Sequence, residues 1–477
     1  MLFNSFEFLI FFPVVTILFF LLPHKFRWLL LLGASCFFYM FFKPEYILIL
    51  FFTIIVDYYA GILIENAKAP GRRRQFLIMS LVANIGVLAI FKYYNFINDN
   101  ITGVASLFGF TNHIPYLKML LPIGLSFHTF QAMSYTIEVY RGNHKAEKHF
   151  GIYALYVMFY PQLVAGPIER PQNILYQFHE EQHFDAQRVL SGLKLMLYGF
   201  FKKIVIADRL SIYVDTVYSY PANHHGFQVL IAIFFFAFQI YCDFSGYTDI
   251  ARGSARVMGF ELMKNFDYPF ISKSITEYWR RWHISLSTWF NDYLFTPILV
   301  KKRDWGKLAV VYGLFVTFFI SGLWHGAGWT FIIWGLLHAV ATSYEFLTKK
   351  FRKKMSKSIV PAIYNPLSML LTFLFLLFAW VFFRAATIHD AFIILHNSVV
   401  GLNTTGSAFG EQIYYFLIIA LFLVIEYTWR KKDELKLMIL KTNIQWRLAG
   451  ISYYSLLFWL ILVWGVFGKK SFIYFQF

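Results

Sequence analysis

The stretch FISGLWHGAGWTF, Phe319 to Phe331, sets a histidine ringed by glycines and tryptophans inside a long apolar run. Apolar residues continue at helical spacing from Ile320 to Trp334 without a proline, which predicts one helix with Ser321 a turn before His325. Gly322, Gly326 and Gly328 thin that helix and let another backbone or a narrow substrate approach. They also weaken it, at roughly 1 kcal/mol each relative to alanine. An ionisable ring in a spanning segment is a functional candidate by default, and the competing reading is a hydrogen-bonded core histidine packed among tryptophans. A neutral imidazole there suits a general base that takes a proton from a hydroxyl.

The rest of the chain has the same character. Of 477 residues, 58% are hydrophobic, 21% aromatic and only 14% charged, which excludes a soluble protein. Apolar runs able, with their flanks, to cross about 30 Å of hydrocarbon recur at Tyr46 to Ile64, Val229 to Tyr241, Val310 to Leu323, Leu367 to Phe383 and Tyr414 to Ile425. The expected fold is an all-α polytopic membrane protein with about eleven to thirteen spanning or re-entrant helices. No interruption is long enough to bury a core of its own, so residues 1–477 read as one membrane domain, with its most informative motifs within 121–345. The opening MLFNSFEFLIFFPVVTILFFLLPHKFR has no basic leader and no small-residue cleavage pattern, and reads as a retained first helix.

The net charge of +17 comes from clusters between apolar runs: GRRR at Gly71 to Arg74, KKR at Lys301 to Arg303, KKFRKK at Lys349 to Lys354 and RKK at Arg430 to Lys432. Short basic clusters at helix ends match the positive-inside rule and lack any nucleic-acid reading module. Cys36 and Cys242 stand far apart in apolar segments, so neither a disulfide framework nor a paired-cysteine metal site is expected.

A second histidine lies in EYWRRWHISLSTWFNDYLF, Glu277 to Phe295. On one helix, Arg280, His283, Ser287 and Asn291 would form a polar stripe among aromatic residues. An interfacial helix with an aromatic belt explains the tryptophans but not the stripe. HEEQH, His179 to His183, matches H-E-x-x-H, yet it lies in a polar interruption and has no suitably spaced third ligand, so a solvated loop is expected and no metal site. No G-x-S-x-G, P-loop or G-x-G-x-x-G motif is present.

Several segments in order resemble the membrane-bound O-acyltransferase family, in particular its bacterial alginate O-acetyltransferase-like branch. They are the opening MLFNSFEFLIFF, LPIGLSFHTFQAMSYTIEVYRG at Leu121 to Gly142, FYPQLVAGPIERP at Phe159 to Pro171, and FQIYCDFSGYTDIARGSARVMGF at Phe238 to Phe260. They continue with YWRRWHISLSTWFNDYLFTPI at Tyr278 to Ile298 and GLWHGAGWTFIIWGLLHA at Gly322 to Ala339. The resemblance implies a ring of tilted helices around a thin central tunnel, with His325 as the catalytic histidine and His283 as the second motif histidine. It implies transfer of an acyl group, acetyl in the first instance, from a thioester to a hydroxyl. The donor would be acyl-CoA or an acyl-phosphopantetheine carrier, not a permanently bound cofactor.

The implied partners are the bilayer of the bacterial inner membrane, an extracytoplasmic transferase or carrier, and a polysaccharide acceptor. Relatives that transfer D-alanyl groups share these motifs. Arg280, Ser287, Asn291, Trp324 and Ser321 are candidates for substrate contact. Asp57 is expected to be held by a hydrogen bond or ion pair, and Asp243 and Asp249 to organise a broken helix with its bend at Gly246. Glu169 and Arg170 are expected to pair, and His128 and His338 to be satisfied core histidines. The rival classes are a transporter or flippase, which would show paired halves not visible here, and a scaffold for polysaccharide export.

Overall fold

A computed structural model describes residues 1–118, 121–401, 412–435, 444–468 and 472–473. Among them the regular structure is helical throughout. Nine helices position the site: α1 (Tyr46–Asn66), α2 (Pro70–Leu107), α3 (Leu125–Arg141), α4 (Phe227–Met258), α5 (Ile275–Trp279), α6 (Ile284–Phe290), α7 (Lys307–His325), α8 (Trp329–Leu347) and α9 (Pro361–Arg384). Of these, α1, α2, α4, α7, α8 and α9 are long and apolar enough to cross a membrane, and Phe6–Leu21, Ile413–Thr428 and Gly450–Trp464 are shorter apolar helices. The protein is an all-α, multi-pass membrane protein. Some apolar runs serve another purpose: in the helix Phe150–Met158 every residue from Gly151 onward is buried in protein, so its hydrophobicity reflects packing on all sides, not contact with lipid.

The long α4 runs unbroken through Gly246, against the expectation of a broken helix there. Its glycines serve close approach instead. Gly246 and Gly253 face Gly199 and Gly192 of the helix Ala186–Phe200, and a methyl on any of the four would lie within 2.8 Å of the opposing glycine's carbonyl oxygen. Where that helix widens into a π-turn at Phe201–Ala207, Lys202 meets Asp249 at 2.6 Å, and Lys203 meets Asp243 at 2.7 Å and Asp208 at 2.8 Å. The two aspartates of α4 thus pair with a neighbouring helix, which offsets the cost of burying them.

Asp57 is held as expected. Ser80 Oγ donates to it at 2.6 Å and Asn84 Nδ2 lies 2.9 Å from both carboxylate oxygens, while Ser80 Oγ also stands 3.0 Å from Thr136 Oγ1. This neutral-donor cluster pins α1, α2 and α3 together. Removing the acceptor leaves buried donors unsatisfied, at about 1–3 kcal/mol each. Asp57→Leu is therefore expected to lower the melting midpoint in detergent well below that of Asp57→Asn, which keeps one acceptor oxygen. Equal midpoints for Asp57→Leu and wild type would refute the pin.

The hairpin of α7 and α8 decides the site. Sequence periodicity suggested one helix through His325, but α7 stops there, and Gly326 and Gly328 adopt extended conformations before α8 begins. Helical spacing cannot register this break because the two arms are both apolar. Gly322 packs on the Phe331 carbonyl and Gly335 on the Phe318 carbonyl, so the arms cross with backbones in contact. The basic clusters at 301–303 and 349–354 flank the open end of the hairpin, and His325 stands at its closed end. In the fourth cluster, the side chains of Lys431 and Lys432 lie outside the described residues.

Candidate functional site

His325 is buried at the tip of α7 among Trp324 (ring centroids 4.9 Å apart), Trp334 (4.9 Å) and Phe383 (5.2 Å). Three aromatic rings, each roughly perpendicular to the imidazole, fix its surroundings and keep bulk water from it. Trp324 is shared: its ring also lies 6.0 Å from that of His283, so one indole neighbours both histidines that the sequence places on different elements.

His283 does not belong to a continuous polar stripe. The chain turns between α5 and α6, and His283 takes a left-handed conformation, φ 45°, one of two non-glycine residues with positive φ among the described residues. Such a conformation costs of order 1–3 kcal/mol and persists only where neighbours enforce it. The enforcing group is Asn265, whose carbonyl accepts the Ile284 N–H at 2.9 Å and whose side-chain Oδ1 accepts from Ser285 N at 3.1 Å and Ser285 Oγ at 2.9 Å. The same Oδ1 lies 3.2 Å from His283 Nδ1. An amide oxygen only accepts, so Nδ1 carries the proton and Nε2 holds the lone pair. Burial lowers the pKa of this turn histidine to about 3, so the ring is neutral.

The remaining candidates assemble elsewhere. Arg280, Ser287, Asn291 and Ser321 all line one cavity of about 800 Å³ between α5, α6, α7 and α8. His325, His283 and Trp324 are not in its lining. Trp334 bridges the two regions, touching His325 on one side and Trp279 of the cavity wall on the other (centroids 5.8 Å). Along α7 the wall is Val310, Leu314, Thr317 and Ser321, one helical face about 16 Å long that ends a turn from His325. At the other end stand Lys349, Arg352 and Glu345. Glu345 bonds Arg352 at 3.1 Å and accepts from the first backbone N–H groups of α5, so the cavity end is both basic and rigid.

Other expectations meet mixed outcomes. His338 is satisfied, its Nδ1 accepting from Trp279 Nε1 at 3.2 Å. His128 is buried with neither ring nitrogen bonded among the described residues, so it is a packed core ring but not a satisfied one. Glu169 and Arg170 do not bond each other. Glu169 accepts from Met263 N at 2.5 Å and Asn173 Nδ2 at 3.3 Å, while Arg170 turns to Asp292 at 3.3 Å and the Tyr293 ring. Burial lifts the Glu169 pKa to about 7. Adjacent residues after a proline-containing turn point apart, which pair spacing alone cannot reveal. In HEEQH the helix ends at His179, which pairs with Glu147 at 2.8 Å, so His179 and His183 do not share a helix face.

Sequence reading missed Asn265, Glu345, Lys92 and Tyr93. Lys92 Nζ donates to the carbonyls of Trp324 at 2.5 Å and His325 at 3.0 Å, and the Tyr93 hydroxyl to that of Leu323 at 2.7 Å. A lysine within the apolar run of α2 was the available signal, by the rule that singled out His325.

The chain is also similar in sequence to known proteins. The profile of the membrane-bound O-acyltransferase family matches residues 145–388. The chain is 36% identical to a probable alginate O-acetylase of Pseudomonas aeruginosa, over 88% of this chain and 81% of that protein. It is 34% identical to a peptidoglycan O-acetyltransferase of Helicobacter pylori, over 79% of this chain and 74% of that protein. A teichoic acid D-alanyltransferase of Bacillus subtilis is 30% identical, over 58% of this chain and 72% of its own length.

Proposed function

The chain belongs to the membrane-bound O-acyltransferase family and is an acyltransferase, and from that premise we propose that it moves an acetyl group from a cytosolic thioester to a hydroxyl of a cell-envelope glycan. The observation that carries this reading is the cavity that begins at Lys349 and Arg352 and follows α7 to Ser321, one turn short of His325. Acetyl-CoA and acyl-phosphopantetheine carriers are anionic at one end and carry their thioester at the other. A basic end attracts the phosphates, and the mostly apolar wall suits the arm. With positive charge inside, that end faces the cytoplasm of a bacterial inner membrane and His325 the opposite side.

His325 accepts the proton of the acceptor hydroxyl as its oxygen attacks the thioester carbonyl. The new C–O bond forms, the C–S bond breaks, and the departing sulfur takes the proton back from the imidazolium. General-base help of this kind contributes about 10²- to 10⁴-fold. His283 presents Nε2 as an acceptor when Nδ1–H is held by Asn265, which suits orienting a hydroxyl or a donor amide N–H and not stabilising an oxyanion. Ser287, Asn291, Ser321 and Arg280 contact the donor arm, and Trp324, beside both histidines, contacts the substrate. Acetyl is favoured over D-alanyl because the acetyl-transferring relatives match more of the chain at higher identity. A separate extracytoplasmic transferase or carrier completes delivery to the polymer.

The donor route is tested in inverted membrane vesicles with radiolabelled acetyl-CoA. The Lys349→Gln/Arg352→Gln variant is expected to transfer label about ten-fold more slowly at limiting donor and to recover at saturation, the pattern of lost binding without lost chemistry. Equal rates at limiting donor would exclude this entry. Wild-type vesicles that accept label only from an acetylated carrier protein would assign the donor to the carrier.

A further inference from the structure

α7 ends at His325 and the chain leaves in extended conformation, so the last carbonyls of the helix have no following turn to bond them. Gly322 O accepts from Gly326 N at 3.3 Å. The next three, of Leu323, Trp324 and His325, are all taken by two consecutive residues of α2, the Tyr93 hydroxyl and the half-buried Lys92 ammonium. A helix C-terminus carries partial negative charge that a cation stabilises, and charge-assisted bonds are about twice as strong as neutral ones. Across the turn, Trp329 Nε1 donates to Asn100 Oδ1 at 3.0 Å, about two turns further along α2. Both arms of the hairpin tip are thereby tied to one helix.

We propose that Lys92 is a positioning residue for acyl transfer: its ammonium, with the Tyr93 hydroxyl, holds the end of α7 so that the His325 ring keeps its place between the acceptor and the thioester. The inference rests on the reading of His325 as the general base. An ammonium suits the task because one group supplies several N–H donors at the end of a flexible stem, and so spans two successive carbonyls from a neighbouring helix. Without it, two buried carbonyls and the helix-end charge lose their partner, and the tip can relax. Misplacement of a reacting group by about 1 Å costs up to 10²-fold in rate.

The test uses the full chain in its own membrane at matched levels, as wild type, Lys92→Met, Lys92→Arg, Tyr93→Phe, His325→Ala and the Lys92→Met/His325→Ala pair. Two quantities are read: the rate of O-acyl accumulation on surface glycans per copy of protein, and the melting midpoint in detergent. Lys92→Met is expected to be about ten- to hundred-fold slower than wild type, and Lys92→Arg, which keeps the cation, to return within about three-fold. The pair is expected to be no slower than His325→Ala alone, since a residue that acts only through His325 has nothing left to position. A folded Lys92→Met variant at the wild-type rate overturns the proposal, and so does a pair slower than His325→Ala. Should Lys92→Met fail to accumulate, Tyr93→Phe decides: a loss of about two- to five-fold supports the cap and an unchanged rate overturns it. Inactive His325→Ala beside fully active Lys92→Met removes only this inference, whereas full activity in both removes the general base itself.

Discussion

His325→Ala is expected to lower acyl transfer by about 10²- to 10⁴-fold while the protein keeps its membrane level. The imidazole sits between Trp324, Trp334 and Phe383, so its removal leaves a small gap in an aromatic wall that several rings can partly fill. The loss of packing is modest, whereas the loss of a proton acceptor is complete. Acyl content of surface glycans by NMR separates the two effects, since a folded but inactive variant loses one O-acyl signal and retains its melting midpoint. His325→Gln is the sharper control, keeping a polar side chain of similar reach without a basic nitrogen. Retention of the O-acyl signal in either variant at matched abundance would return His325 to the role of a core histidine, and the general base would have to be sought elsewhere.

The second large effect is expected from Gly335→Leu, which should abolish accumulation of folded protein. A Cβ at Gly335 would strike the Phe318 carbonyl, and one at Gly322 the Phe331 carbonyl, so the two arms of the hairpin meet through reciprocal backbone contacts. Overpacking costs typically about 1–3 kcal/mol when side chains can give way, and more where the obstacle is main chain. Separating α7 from α8 would also widen the cavity wall that ends at Ser321 and displace Trp334 from His325, so activity cannot survive what stability tolerates. Gly33→Leu supplies the comparison. Nothing lies within 4 Å of a Cβ at that position, and it is expected to accumulate and melt like wild type. Normal membrane levels and an unchanged midpoint for Gly335→Leu would show that the arms do not cross as closely as described.

Much of the site was legible as residue identities and little of it as geometry. An ionisable ring among glycines in an apolar run singled out His325, and its sequence context singled out His283. Arg280, Ser287, Asn291 and Ser321 do share one surface, yet the helical stripe proposed for three of them is interrupted by the left-handed His283. Periodicity counts positions and is blind to a residue whose backbone is turned by a distant amide. For the same reason it carried one helix through Gly326 and Gly328; the break expected of Gly246 is absent too, where the glycine instead admits a neighbouring backbone.

By itself the sequence determined a polytopic all-α membrane protein, the basic ends of its helices, the acyltransferase family and the identity of its two motif histidines, because hydrophobicity, charge and motif are properties of short segments. Only the tertiary structure decided where α7 stops, which nitrogen of His283 holds the proton, and which side chains secure the tip. Those outcomes rest on hydrogen bonds between residues far apart in the chain, as between Lys92 and the Trp324 carbonyl 232 positions away. A buried polar group takes whatever partner the packing brings within about 3 Å, and that partner is set by the whole fold.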